Sequence, residues 1–161
     1  MTDPRHALLT LLFEWTAAPY ARWFKSGEPW GLSAVQLTCW PEGTLGCALG
    51  HYLLAQGFEL LPRLEHHDVV HLLTGVGTTV PEEVELQWLL AGNGKRSAYL
   101  LGVLLLGTLL LPEHLGRFGA AWARGRRLPR LHGRDYRSML GCRLGRGEVE
   151  SRAGRPEVKA A

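Results

Sequence analysis

The chain has 161 residues, 46% hydrophobic and 20% charged, which suits one folded domain with its own core and excludes a disordered protein. Three cysteines, Cys39, Cys47 and Cys142, are an odd number without a C-x-x-C pair, against a disulfide framework or zinc ribbon and in favour of a reducing compartment. The net charge of +3 hides an asymmetry: residues 1–111 hold 6 Lys/Arg against 10 Asp/Glu, and residues 112–161 hold 12 against 5. An Arg-rich end is first a solvated helix face and a loose tail. An anionic membrane surface or an acidic ligand comes next, because guanidinium binds phosphate and carboxylate in bidentate fashion. Nucleic acid is not expected, since no aromatic-interleaved platform or reading motif is present.

Residues 5–25 are predicted to be helical, with Leu8, Leu11, Leu12, Trp15, Ala18 and Trp23 in an apolar stripe and Pro19 either kinking the helix or ending its first part. Nothing there has the charged, apolar, small-residue order of a signal peptide. Gly27, Pro29 and Gly31 mark a connection, and residues 32–40 give no clear period. Trp40-Pro41-Glu42-Gly43 reads as a turn, with Thr44 the N-cap of a helix over 45–56 that Gly57 closes.

The next helix, predicted over 59–75, carries His66, His67, Asp68 and His71. His67 and His71 are an i,i+4 pair on one face, and Asp68, three residues before His71, leans toward the same ledge. After Thr74-Gly75 and Gly77, Thr79-Val80-Pro81-Glu82 matches a capping box with Pro in the first turn. That gives Glu82 a local task and leaves Glu83 on a face shared with Leu86, Gln87 and Leu90. There a lone carboxylate is costly to bury and needs a partner.

Ala98 to Leu111 is the most hydrophobic run, 14 residues with Gly102, Gly107 and Thr108 inside it. About 20 are needed to span a bilayer, so a buried core helix or the wall of an apolar pocket is expected. Pro112 opens a further helix with Phe118 and Trp122 at i,i+4, residues 133–140 read as one more short turn, and residues 145–161 as a disordered basic tail. No repeat and no persistent strand alternation is present. The expected fold is all-α, a compact single-domain bundle of about six to seven helices over residues 1–144.

The His/Asp cluster has the spacing of the zincin His-Glu-x-x-His helix with Asp in place of the general-base Glu. On spacing alone three readings stand: a metal site completed by a carboxylate from the following helix, a polar helix-packing network, and a solvated face.

The order Trp40-Pro41-Glu42-Gly43-Thr44-Leu45-Gly46, then His67-Asp68-Val69-Val70-His71, Thr74-Gly75, Thr78 and Glu83 resembles the Coq-four family of ubiquinone (coenzyme Q) biosynthesis proteins. That family's signature is His-Asp-x-x-His, eleven residues, then Glu, the spacing found here from His71 to Glu83. Trp122-Ala123-Arg124-Gly125 is similar to a Trp-Ala segment near the family's end, and the likeness covers residues 38–140. Leu64 stands where the family usually has Arg, with Arg63 one position earlier, and the closing Tyr-Trp-acidic pattern is reduced to Tyr136 followed by Arg137 and Ser138. The resemblance implies a helical, cytoplasmic protein held peripherally on the inner face of a membrane. It implies a divalent metal, zinc by preference, on His67, Asp68, His71 and Glu83, with His67 and Asp68 as the catalytic pair. The implied ligand is a polyprenylated aromatic or other prenyl lipid seated in an apolar groove. Its activity would be removal of the C1 carboxyl of a prenylated benzoate, with a hydroxyl taking its place. The alternative it leaves is a non-catalytic prenyl-lipid scaffold for other quinone-biosynthesis proteins, with a structural metal; a homodimer is compatible with either.

Overall fold

The fold is that of a computed structural model, which describes residues 4, 5, 7, 8, 11 and 28–145. Among these residues it is all-α: six α-helices and one 3₁₀ turn, with a lone β-bridge between Thr44 and Arg143. Residues 4, 5, 7, 8 and 11 are helical. The remainder of the helix expected over 5–25, and all but Gly145 of the expected tail, lie outside the described residues. All three cysteines are free thiols. The described residues fall into two compact units, one of Glu28–Gly75 with residues 135–145, the other containing Val76–Arg134.

In the first unit, α1 (Ala34–Thr38) is short, and its start is a reciprocal cap. The Gln36 N–H donates to Ser33 Oγ at 3.1 Å and the Ser33 N–H to Gln36 Oε1 at 2.8 Å. Helix α2 (Leu45–Gln56) begins at the expected cap, Thr44, and ends at Gly57 with φ of 70°. It packs on α1 so closely that a Cβ at Gly50 would lie 2.6 Å from the Thr38 nitrogen and 2.8 Å from the Ala34 oxygen. Helix α3 (Glu65–Thr74) ends at Gly75, φ 64°.

The start of α3 corrects the expected 59–75 helix. Pro62 drives the residue before it out of the helical region, and Arg63 has φ of 68°. Residues 58–64 are therefore irregular, and the Glu59 carboxylate instead accepts the Ala34 N–H at 3.4 Å. The segment after residue 135 closes the unit by backbone pairing. Leu45 N–H donates to Cys142 O at 2.9 Å and Gly46 N–H to Leu140 O at 2.8 Å, satisfying two first-turn donors of α2. Leu37, Leu49, Leu53, Val69, Leu72, Tyr136 and Leu140 are almost fully buried and form its apolar interior.

In the second unit, α4 (Val80–Gly92), α5 (Ala98–Leu110), a 3₁₀ turn (Pro112–His114) and α6 (Leu115–Gly125) surround Val84, Val103, Leu111 and Phe118. Trp88 stacks on Phe118, ring centroids 6.4 Å apart and 10° between planes, and its indole N–H donates to Thr108 Oγ1 at 3.3 Å. Gly107 lets Val84 approach: a Cβ there would sit 2.6 Å from a Val84 methyl. Helix α5 departs from the expected buried helix. It buries one face, Leu100, Val103 and Gly107, while Leu101, Leu105, Leu106 and Leu109 are exposed, Leu109 by 75%. Among the described residues no single helix is long and apolar enough to cross a membrane.

Candidate metal centre

Helix α3 presents two chemically different faces. His71 is buried, at 2% exposure, among Val69, Val70, Leu72 and Thr74, while His67 and Asp68 are half-buried. One helical turn brings the two imidazoles together: His67 Nε2 and His71 Nε2 are 3.1 Å apart, with ring centroids at 4.5 Å and planes nearly perpendicular at 88°. Two Nε2 atoms at that distance share one proton as an N–H···N hydrogen bond, or turn both lone pairs onto one cation. Two nitrogens on a tetrahedral zinc, each at roughly 2.0–2.1 Å, are about 3.3 Å apart. The pair needs only a slight opening to meet that geometry.

His66, the third histidine of the sequence cluster, does not join the pair. Its ring packs edge-on to Trp30 at 5.5 Å and tilted against Tyr136 at 5.8 Å. It belongs to the aromatic packing at the start of the helix. Beside it, Glu65 is 3% exposed and accepts the Trp30 N–H at 3.0 Å. Arg137 donates to the Trp30 carbonyl at 3.3 Å. Glu65 and Arg137 thus hold the residue-30 backbone beside the first turn of α3. Sequence reasoning missed this role for Glu65. Its position next to the histidines was visible, but a first-turn Glu is ordinarily a solvated group favoured by the helix dipole.

The two acids at the start of α4 separate as the cap predicts. The Glu82 carboxylate accepts the Thr79 N–H at 3.1 Å and the Thr79 hydroxyl at 2.6 Å, and folds over Gly77, where a Cβ would collide with it. Glu83, half-buried, has no part in that cap. The His67 and His71 imidazoles offer a cation two nitrogens from one helix, and Glu83 is the carboxylate that the sequence spacing adds to them. Two nitrogens and an oxygen are what zinc and its neighbours in the first transition row accept. Asp68 is half-buried on the same helix as the two histidines.

No protein-family model matches the chain, and no curated protein does.

Proposed function

We propose that this is a quinone-biosynthesis-type protein that holds a divalent metal, zinc by preference, on His67, His71 and Glu83 with Asp68 beside them, and acts on a prenylated aromatic. The observation that carries the metal is the 3.1 Å separation of the His67 and His71 Nε2 atoms on one half-buried helical turn. The spacing from His71 to Glu83 and its likeness to the Coq-four signature support the substrate class. A bound cation would supply Lewis acidity toward the ring carboxylate and its neighbouring oxygens. His71, buried, is the ligand fixed by packing; His67, half-buried, is the one open to substrate. Asp68 would orient a metal-bound imidazole by accepting its ring N–H. Replacing the C1 carboxyl by hydroxyl takes an oxidant from outside the chain, because zinc has no redox chemistry.

The second reading is a lipid-binding scaffold with a structural metal. It draws on the exposed leucines 101, 105, 106 and 109 of α5, which offer apolar area to a prenyl chain at about 0.8 kcal/mol per buried CH₂. With the Arg-rich residues 112–161, the same leucines support peripheral attachment to the inner face of a membrane.

Elemental analysis of the purified full chain tests the metal. The expected result is about one zinc per chain, lost in His71→Ala and Glu83→Gln. Adding zinc at 100 times its Kd should stabilise the wild type by about 2.7 kcal/mol, a rise in Tm of roughly 5–10 °C for a chain of this size. No stoichiometric metal and no chelator effect on Tm would reduce the histidines to a packing pair. Release of CO₂ from a prenylated hydroxybenzoate by the metal-loaded protein then separates enzyme from scaffold.

A further inference from the structure

The second unit contains a cleft that the metal reading does not use. The C-terminal ends of α4 and α6 cross at Gly92 and Gly125, and beside the crossing opens a cleft of about 430 Å³. Roughly 300–1,000 Å³ is the range of small-molecule sites. None of the described residues lining it is acidic. Two bare helix C-termini would favour a cation, but these are already occupied. The Asn93 amide donates to the carbonyls of Gly125, Leu128 and Pro129 at 3.0–3.2 Å, and its Oδ1 accepts the Leu131 N–H at 2.8 Å. Arg96 donates to the Ala91 carbonyl at 3.2 Å. These bonds fix the wall of the cleft in advance of any ligand.

The charges at the cleft are positive. The Arg130 Nε–H donates to His132 Nε2 at 3.1 Å, which makes that nitrogen an acceptor and leaves the ring proton on Nδ1. Nδ1 is buried and has no hydrogen-bond partner. Burial, then Arg130, Lys95 and Arg96, hold His132 below its ordinary pKa. Arg126 lines the same cleft with its guanidinium carbon 4.9 Å from the Trp122 ring centroid. Stacking occupies the face of that group and leaves its N–H edge for an acceptor. We infer that this cleft, walled by Asn93 and lined by Arg126, Arg130 and His132, is a binding site for a phosphoryl group. A phosphate offers several acceptor oxygens to the Arg126 edge and the terminal N–H groups of Arg130 at once.

The phosphoryl group comes from a soluble phosphate or from a lipid headgroup, and two arms distinguish them. In the first, inorganic phosphate is titrated into the full chain at constant ionic strength while the His132 Cε1–H resonance is followed by NMR. A saturable shift is expected, with a rise in the His132 titration midpoint, and Arg130→Gln or Arg126→Gln should weaken binding by about tenfold or more. In the second, sedimentation with phosphatidylcholine vesicles is measured with and without phosphatidic acid. Capture that needs phosphatidic acid and is lost in Arg130→Gln, with no response to inorganic phosphate, assigns the site to a headgroup. Should Arg130→Gln lower Tm, Arg126→Gln at its exposed position reads the same loss. No effect in either arm, an equal shift with chloride, or variants that bind as the wild type does would overturn the site.

Discussion

Gly125 and Gly119 lie less than two turns apart on α6, and replacing each by alanine should move stability in opposite directions. At Gly125 a Cβ would collide with the Leu89 carbonyl oxygen and lie 2.9 Å from its carbon and 3.0 Å from the Asn93 nitrogen. Carbon contacts are most favourable at about 3.5–4.0 Å, so α4 and α6 must separate by about half an ångström or more. Backbone on the opposing helix cannot rotate away as a side chain can. Such overpacking costs about 2–3 kcal/mol, against about 1 kcal/mol gained because alanine is the better helix former. The net loss of about 1–2 kcal/mol lowers Tm by roughly 2–8 °C in a chain of this length. At exposed Gly119 nothing lies within 4 Å of the added Cβ, so the propensity gain stands alone and Tm should rise by roughly 2–4 °C. Thermal melts by circular dichroism on the two variants and the wild type decide it. A Gly125→Ala protein as stable as Gly119→Ala would refute the close crossing, and with it the wall of the phosphoryl cleft.

Glu82→Ala removes the acceptor for the Thr79 N–H and hydroxyl, and denaturant unfolding should show a loss of about 1 kcal/mol with zinc stoichiometry unchanged; loss of the metal in this variant would mean that the two acids had been assigned the wrong way round. His132 contributes to pH dependence with a definite sign. Its folded pKa lies below the ordinary 6.5, so the unfolded chain binds more protons in the window between the two values. The contribution is full above 6.5 and is lost as pH falls through the folded pKa. His132→Gln should therefore flatten the stability profile below 6.5, and a slope identical to wild type would contradict the neutral, Arg130-bonded ring.

What could be read from the residues alone was whatever is settled within about one helical turn. The Thr44 cap, the glycines that end α2 and α3, and the Thr79–Glu82 reciprocity depend on neighbours three or four positions away, and the chain carries those neighbours with it. The i,i+4 placement of His67 and His71 is equally local, because a helix of any surroundings stacks those positions. The all-α class follows from the absence of alternation. Tertiary structure decided the rest. It separated His66 from the histidine pair, because Trp30 and Tyr136, far along the chain, supply the rings it packs on. It buried Glu65 against the Trp30 N–H. It turned much of the leucine face of α5 outward, since hydrophobicity says that a face is apolar and not whether another element covers it. And it gathered Arg126, Arg130 and His132 with Asn93, from the other side of α5 in sequence, around one cleft. Arginines spaced along a chain register only as charge until the backbone brings them to a common surface.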